Sequence, residues 1–212
     1  MNLEALRREY LHGGLMHADL NDHPIQQFER WLEQAIALDI NDPTAMVMAS
    51  VDSSGQPSQR IVLLKGISEA GFVFYTNYGS RKGREMAANA QVSLLFPWHA
   101  IDRQVKVLGR VERMNAIESA AYFASRPRDS QLAAWASPQS QQVPSRQALM
   151  DSLEEMRQRF EGQEVPLPDN WGGLRVIPHE VEFWQGGAHR LHDRFQYTLQ
   201  PDEQWLIKRL AP

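Results

Sequence analysis

The chain contains no cysteine among its 212 residues. Disulfide bonds, thiolate nucleophiles and zinc or iron–sulfur centres held by cysteine are therefore excluded, and the absence fits a reducing compartment. No apolar run approaches the roughly 20 residues of a membrane span. The N-terminal residues 1–10 are charged and lack the apolar stretch of a signal peptide. We therefore expect a cytoplasmic protein without a membrane partner.

Positive charge is also scarce, because 22 lysines and arginines stand against 26 acidic residues and give a formal net charge of -4. Sequence-independent nucleic-acid binding needs many side chains that neutralise phosphates, so this balance argues against a nucleic-acid partner. The sequence also lacks the G-x-S-x-G, P-loop, G-x-G-x-x-G and H-E-x-x-H motifs. Hydrolase, nucleotide triphosphatase and Rossmann functions therefore lose support.

Short, closely spaced β-rich segments fill residues 44–112 and return from residue 174 to the C-terminus. Short turns between such strands indicate an antiparallel barrel or sandwich, and Gly109 predicts a bulge in its strand. No linker separates two cores, so we predict an α+β fold, mainly antiparallel, with helices inserted between strands. We expect these helices at residues 24–36, 84–89, 115–125 and 145–160.

Basic residues concentrate in one stretch of this acidic chain. Two apolar runs, 60–65 and 72–76, predict a hairpin, and the stretch from residue 58 to residue 84 contains a single acid, Glu69. Its basic residues are Arg60, Lys65, Arg81, Lys82 and Arg84. A local basic cluster in an acidic protein indicates a site for one anion. The alternative is a pair of solvated strand ends followed by a basic turn.

A second candidate anion site follows the third predicted helix. Tyr122 and Arg126 are four residues apart and project from one helical face, and Ser130 lies in the turn that follows. A phenol, a guanidinium and a hydroxyl can all donate hydrogen bonds to a phosphate. The alternative is that these residues are ordinary surface neighbours. Residues 131–143, which include Gln139 and Ser140, are predicted to form a loop.

Two histidines and two arginines lie within six residues near the C-terminus, at His189, Arg190, His192 and Arg194. We do not interpret the histidines as metal ligands, because the arginines would repel a cation and no third soft ligand is evident. If the segment is a strand, Arg190, His192 and Arg194 alternate onto one face. Such a face suits an anionic or flat aromatic ligand. The alternative is an exposed basic hairpin.

Long motifs occur in order along nearly the whole chain. They include Leu6-Arg-Arg-Glu-Tyr10, Gln59-Arg-Ile-Val-Leu-Leu-Lys65, Gly79-Ser-Arg-Lys82, Ser93-Leu-Leu-Phe-Pro-Trp98, Ser125-Arg-Pro-Arg-Asp-Ser-Gln131, Trp171-Gly-Gly173, Glu182-Phe-Trp-Gln-Gly186 and His189-Arg-Leu-His-Asp-Arg194. Together these motifs resemble those of the pyridoxine (pyridoxamine) 5′-phosphate oxidases.

This resemblance implies a split β-barrel that binds FMN, built as a homodimer with FMN in clefts between the subunits. It implies an N-terminal lid at residues 1–20 and a single FMN-binding domain at residues 21–212. The implied reaction is oxidation of pyridoxine 5′-phosphate or pyridoxamine 5′-phosphate to pyridoxal 5′-phosphate. Oxygen reoxidises the flavin in this scheme and yields hydrogen peroxide.

The resemblance also implies roles for single residues, and it implies no metal. The FMN contacts would be Arg60, Ile61, Val62, Leu63, Leu64, Lys65, Tyr75, Thr76, Arg81, Lys82, Gln104, Gln139, Ser140, Trp184 and Arg194, with Arg81 and Lys82 at the phosphate. The substrate phosphate would meet Lys65, Tyr122, Arg126 and Ser130. The substrate ring would meet Arg190, Leu191 and His192, of which Arg190 and His192 would be catalytic. The lid residues over the substrate would be Arg7, Arg8, Glu9 and Tyr10.

Two rival functions are weighed against the oxidase. The first is a split-barrel protein that binds flavin or another small ligand without this activity, since one fold hosts several functions. The second is a polyanion-binding module, which the net charge and the absence of an extended basic stripe oppose. The presence of the complete set of implied substrate residues favours the oxidase.

Overall fold

An antiparallel sheet forms the frame of the computed structural model, which describes Tyr10 and residues 14–212. The strands are β1 (Ala45–Val51), β2 (Pro57–Leu63), β3 (Gly66–Ser68), β4 (Gly71–Asn77), β5 (Gln91–Trp98), β6 (Arg103–Arg113), β7 (Trp171–Gln185), β8 (Asp193–Leu199) and β9 (Trp205–Leu210). The helices are α1 (Pro24–Ala37), α2 (Arg81–Ala88), α3 (Ala116–Ser125), α4 (Arg128–Ala136) and α5 (Arg146–Arg159). Short 3₁₀ turns lie at His17–Asp19, His99–Ile101 and Ala188–Arg190. The predicted α+β architecture is confirmed.

The long strand β7 joins the two halves of the sheet. The strand order is β2-β1-β5-β6-β7-β4-β3, and β8 pairs with both β7 and β9. One end of β7 pairs with β4, its other end pairs with β8, and β6 pairs along most of its length. The apolar runs at residues 174–177 and 180–184 predict two separate strands. This prediction is wrong, because both runs belong to β7. Pro178 is accommodated within one continuous strand because it lies opposite Gly109, at a shift in register.

Helix α1 fills the inside of the curved sheet. The side chain of His23 accepts a hydrogen bond from the backbone N–H of Ile25 at 3.2 Å and so caps the helix. The buried face of α1 includes Phe28, whose ring lies 5.0 Å from that of Phe72 and 4.6 Å from that of Phe96. Full burial of such a side chain stabilises the fold by roughly 2–3 kcal/mol. Among the described helices, none is long and apolar enough to cross a membrane.

Helices α3, α4 and α5 form a second apolar cluster beside β4 and β7. Its centre contains Phe123, Leu132, Ala136, Phe160 and Trp171. The prediction of a loop at residues 131–143 is wrong for its first half, where α4 continues to Ala136. Leu132 and Ala136 are four residues apart and bury one face of α4 against the cluster, which stabilises a helix within an otherwise polar segment.

The predicted hairpin between residues 60–65 and 72–76 is also wrong. Strand β2 pairs with β1 along its whole length, while β4 pairs with β3 and β7. The connection assumed to be a loop contains β3, which turns tightly into β4 at Gly71. Gly71 has a φ of 125°, which favours glycine. Lys65 still lies beside β4, because its N–H donates to the carbonyl of Val73 at 2.8 Å.

The predicted bulge at Gly109 is confirmed by a shift of register between Leu108 and Gly109 in the β6–β7 ladder. A Cβ atom at Gly109 would lie 2.5 Å from the carbonyl oxygen of Ile177 and 2.8 Å from a side-chain carbon of Val176. The close approach of the two strands therefore requires glycine at this position.

We expect Gly109→Ala to lower the free energy of unfolding by about 2 kcal/mol, because the backbone of β7 must move to admit the methyl group. Urea unfolding measures this change. Gly66→Ala is the matched control in a strand of the same sheet, where the new Cβ would meet Val73 at an ordinary 3.4 Å. Equal stability of the Gly109 variant and the wild type would contradict the interpretation.

Candidate active site

The basic cluster lies at the start of α2. The hydroxyl of Ser80 accepts a hydrogen bond from the N–H of Gly83 at 3.2 Å, so the helix begins at Arg81. The prediction of a helix at residues 84–89 is therefore wrong at its start. The helix begins three residues earlier, because Ser80 caps it. Arg81 and Lys82 occupy the first turn, where unpaired backbone N–H groups and the helix dipole favour an anion.

The buried carboxylate of Glu85 organises the arginines of this cluster. It accepts hydrogen bonds from the hydroxyls of Ser50 at 2.5 Å and Ser58 at 2.6 Å. It also pairs with Arg60 at 3.2 Å and Arg81 at 2.7 Å. Burial by itself would raise the pKa of Glu85, but these hydrogen bonds outweigh burial and lower the pKa to about 2. Glu85 is therefore ionised and holds both arginines.

Lys82 connects α2 to β4 and to the loop that follows α4. Its ammonium donates to the side-chain oxygen of Gln139 at 2.8 Å, and the hydroxyl of Thr76 lies 3.4 Å from the same oxygen. Burial and the charge of Arg60 lower the pKa of Lys82. The adjacent Ser140 has a left-handed backbone with φ 68° and is not among the described residues that line the clefts below.

A cleft of about 300 Å³ lies next to this cluster and brings together ten of the predicted site residues. The predicted residues that line it are Ile61, Val62, Leu63, Lys65, Tyr75, Thr76, Lys82, Tyr122, Arg126 and Gln139. A neighbouring cleft of about 310 Å³ contains Ser130 and shares Arg126, Gln139 and Trp171 with the first. The side chain of Leu64 instead packs into the core.

Stacked aromatic rings hold Arg126 at the wall of both clefts. The rings of Tyr75 and Tyr122 stack with centroids 3.7 Å apart, and Trp171 lies nearly parallel to both. The guanidinium carbon of Arg126 lies 4.7 Å from the centre of Trp171. The Nη1 nitrogen of Arg126 is buried and has no hydrogen-bond partner among the described residues. A buried donor of this kind requires an acceptor, and an anion in the cleft would provide one.

Trp171 is a site residue to which the sequence analysis assigned no role. Its sequence signal is the glycine pair that follows it. A Cβ atom at Gly173 would lie 3.0 Å from the ring of Tyr75, so glycine permits the close stacking. A motif of one aromatic residue followed by two glycines therefore marks a place where rings approach the backbone.

A second group of predicted residues lies at the other end of β7. Gln104, Trp184 and Arg194 are opposite one another on β6, β7 and β8. The buried carboxylate of Glu182 accepts hydrogen bonds from Arg194 and from Lys106, each at 2.7 Å. Burial would raise the pKa of Glu182, but these two partners outweigh it and lower the pKa. The charge of Glu182 thereby fixes Arg194 beside Trp184.

Arg190 and His192 precede β8, which begins at Asp193. The predicted alternation of Arg190, His192 and Arg194 on one face of a strand is therefore wrong. His189 and Arg190 have left-handed φ values of 55° and 61° and turn the chain sharply, and Leu191 is 71% exposed. The Nδ1 nitrogen of His192 accepts the N–H of Gly187 at 3.1 Å. In the neutral ring the proton is therefore on Nε2, which can donate to a ligand.

Tyr10 packs against this second group. Its ring lies 5.6 Å from Trp184 and 5.2 Å from His192, both edge to face. Gly186 makes this contact possible, because a Cβ atom there would lie 2.7 Å from the ring of Tyr10. The other predicted lid residues, Arg7, Arg8 and Glu9, lie outside the described residues. Among the described residues, no group of three or more acidic or histidine side chains is arranged to hold a metal ion.

The two groups are far apart within one chain. Tyr75 pairs with Gly173 near the start of β7, whereas Gln104 pairs with Trp184 near its end. The intervening stretch of β7 corresponds to roughly 35 Å in a straight strand. One small ligand therefore does not bridge both groups in a single chain.

Comparison with known proteins gives two family matches. Residues 32–160 match the family model described as pyridoxamine 5′-phosphate oxidase. Residues 171–212 match the model of the pyridoxine 5′-phosphate oxidase C-terminal dimerisation region. The chain is 56% identical to a pyridoxine/pyridoxamine 5′-phosphate oxidase of Pseudoalteromonas translucida and 58% identical to that of Teredinibacter turnerae, over the full length of both.

Solved structures show the same fold. PhzG from Burkholderia lata, in complex with tetrahydrophenazine-1-carboxylic acid, has a TM-score of 0.88 at 30% identity and covers 93% of this chain and 98% of its own. A pyridoxamine 5′-phosphate oxidase-related, FMN-binding protein from Nostoc punctiforme has a TM-score of 0.69 at 15% identity. The match covers 87% of this chain and 97% of that protein. The fold is thus the FMN-binding split β-barrel. The chain belongs to the pyridoxine/pyridoxamine 5′-phosphate oxidase family, whose members are oxidoreductases.

We expect Glu182→Gln to lower the free energy of unfolding by about 2 kcal/mol at pH 7, because two cations lose a buried charged partner. The folded-state pKa of Glu182 lies below its ordinary value of 4.5. The ionised carboxylate therefore stabilises the fold above that pH, and this stabilisation is lost as the pH falls. The difference between variant and wild type should therefore shrink below pH 4.5 in urea unfolding. Glu180→Gln is the control, since Glu180 lies 3.9 Å from Lys106. A difference that stays constant with pH would contradict this account.

Proposed function

We propose that the protein oxidises pyridoxine 5′-phosphate and pyridoxamine 5′-phosphate to pyridoxal 5′-phosphate, with FMN as cofactor and oxygen as electron acceptor. Relatives that carry this name are 53–58% identical over the full chain. The observation that carries the proposal is Arg126, which lines two clefts beside a second basic cluster and whose buried Nη1 nitrogen has no hydrogen-bond partner among the described residues. Two neighbouring anion sites suit a phosphorylated cofactor together with a phosphorylated substrate. A cytoplasmic location stays a prediction from the sequence.

The residues at α2 fit the phosphate of FMN. Arg81 and Lys82 lie in the first turn of a capped helix, where the helix dipole adds to their positive charge. The neighbouring cleft is bordered by the edge strand β2 at Ile61, Val62 and Leu63, which offers backbone and apolar contacts to a flat ring. When bound, FMN would supply a two-electron acceptor that oxygen regenerates, with hydrogen peroxide as product.

The second cluster fits the phosphate of the substrate. Arg126 would provide its unpartnered Nη1, and Lys65 would add a second cation on the wall of the same cleft. Burial raises the pKa of Tyr122, so its phenol is protonated at neutral pH and can donate a hydrogen bond. Ser130 would donate from the adjoining cleft. These four donors together would fix the phosphate end of the substrate.

Arg190 and His192 would act at the substrate ring. His192 presents Nε2–H because Nδ1 is held by Gly187, and Arg190 provides a permanent positive charge. Together they would orient the ring and stabilise negative charge that develops on its phenolic oxygen. Leu191, which is exposed between them, would contact the same ring. The contact of Tyr10 with His192 supports the N-terminal segment as a cover over this position.

A homodimer would complete the site, because the two groups lie at opposite ends of β7. In a symmetric dimer, the Arg190–His192 segment of one copy can meet the Arg126 cleft of the other. The match of residues 171–212 to a dimerisation region supports this arrangement, since that region contains the whole second group apart from Gln104 and Tyr10. The apolar residues Ile61 and Leu191 are strongly exposed, at 70% and 71%, and would be covered by such an interface.

The reaction is tested by oxygen uptake of FMN-supplemented protein given pyridoxine 5′-phosphate, with the aldehyde product followed by absorbance. We expect uptake to match aldehyde formation. Arg126→Met should raise KM about tenfold or more, because it removes a charge-assisted hydrogen bond to the substrate phosphate, while FMN affinity stays unchanged. Arg110→Met, at an exposed arginine of β6, is the control. A yellow protein that binds the substrate without consuming oxygen would instead support the flavin-binding alternative.

The shared site is tested by mixing two defective variants. At a substrate concentration well below KM, Arg126→Met and Arg190→Ala should each be weakly active, and Arg190→Ala should retain FMN. After subunit exchange, each heterodimer would have one intact site and one doubly altered site, so activity should recover to about a quarter of the wild-type value. Mixtures that show only the average of the two variants would contradict a site built from two copies.

A further inference from the structure

Glu85 is unexpected beside a phosphate site, because a carboxylate repels a phosphate. Its side chain is only 5% exposed, and it lies one helical turn after Arg81 on α2. Neither the sequence motifs nor the proposed reaction assigns it a role. Its hydrogen bonds show what it does.

The two carboxylate oxygens of Glu85 have different partners. Oε2 accepts from Ser50, Ser58 and Arg60, which lie on the paired strands β1 and β2. Oε1 accepts from Nε of Arg81 at 2.7 Å. One oxygen is thus anchored in the sheet, while the other holds an arginine in the first turn of α2.

Arg60 and Arg81 are held in different ways. Both terminal nitrogens of Arg60 are directed inward, to Ser50, Ser58 and Glu85. Arg60 therefore compensates the charge of Glu85. The side chain of Arg81 is 55% exposed, and within the described part of the chain Glu85 is its one hydrogen-bond partner, through Nε. The terminal nitrogens of Arg81 remain for a ligand.

A half-exposed arginine on its own has many rotamers, and fixing one of them costs entropy when a ligand binds. The bond from Glu85 to Nε fixes the guanidinium before binding. Glu85 also stays charged throughout the usual assay range, since its pKa is lowered to about 2. The arrangement therefore preorganises the positive end of the site.

We propose that Glu85 is a positioning residue that holds Arg81 for the phosphate of the flavin and thereby sets the preference for FMN over riboflavin, which lacks the phosphate. This inference rests on the proposed function, because it takes FMN as the ligand at α2. The contribution of Glu85 is specific to the phosphate, so binding of the flavin ring itself should not depend on it.

The test is titration of flavin-free full-length protein with FMN and with riboflavin, following the quenching of flavin fluorescence. We expect Glu85→Gln to weaken FMN binding about tenfold or more, the size of one charge-assisted hydrogen bond, and to change riboflavin binding by less than about twofold. Arg81→Lys keeps the charge but loses Nε, so it should have a similar effect. The double variant should lose little more than either single variant.

Asp52→Asn is the matched control for charge. Asp52 is partly exposed, interacts with Arg81 only through space and accepts hydrogen bonds from the N–H groups of Ser54 and Gln56 in its own turn. Its removal should leave the ratio of FMN to riboflavin affinity at the wild-type value. Urea unfolding shows whether Glu85→Gln is folded. If Glu85→Gln does not fold, the Arg81→Lys variant alone tests the proposal, because Arg81 lies at the surface and its replacement should leave the fold intact.

Two outcomes would overturn the inference while leaving the proposed function in place. One is a folded Glu85→Gln protein with the wild-type ratio of affinities. The other is equal weakening of FMN and riboflavin, which would assign Glu85 to the fold alone. If instead the wild-type protein bound FMN no more tightly than riboflavin, α2 would not be a site for the phosphate of FMN. That result would overturn the proposed function as well.

Discussion

The pairing of β7 with three other strands is the constraint on which the rest of the structure depends. One end of β7 carries Trp171 and Gly173, which leaves room for the ring of Tyr75, and the other end carries Trp184 beside Arg194. A strand has a fixed rise per residue, so the two groups are held apart by a set distance. The same strand therefore carries both groups of residues and holds them apart within one chain.

Buried carboxylates organise the basic residues of both groups in the same way. Glu85 holds Arg60 and Arg81, and Glu182 holds Lys106 and Arg194. In each case the acid is buried against the sheet and has a lowered pKa, while at least one of its cations is partly exposed. A long basic side chain is costly to order, so prior fixation by a buried acid leaves more binding energy for an anion. Arg126 is ordered differently, by aromatic stacking on Trp171, and its buried Nη1 nitrogen has no hydrogen-bond partner among the described residues.

The sequence analysis was most accurate where a local pattern has one physical meaning. The apolar spacing of α1 and the strand glycine at position 109 predicted a helix and a bulge that the structure confirms. It failed where distant packing overrides local preference. Helix α4 forms in a polar segment because Leu132 and Ala136 reach a cluster built by other helices, and β3 forms within a presumed loop because β4 offers it an edge. Trp171 was missed because the rings on which it stacks are remote in sequence. Glu85 was missed because only Arg81 is close to it in sequence, whereas its other partners lie on β1 and β2.

By itself the sequence determined the chemical character of the protein. Its lack of cysteine excluded whole classes of mechanism, its local basic clusters indicated anion sites in an acidic chain, and its motifs carried the family resemblance. Only the tertiary structure decided which of these residues meet. It placed Lys82 against Gln139, put Trp171 and Trp184 near opposite ends of β7, and left Nη1 of Arg126 without a hydrogen-bond partner among the described residues. The reason is physical: residue types fix what a side chain can bind, whereas strand pairing and burial fix where it lies and which of its hydrogen bonds remain unmade.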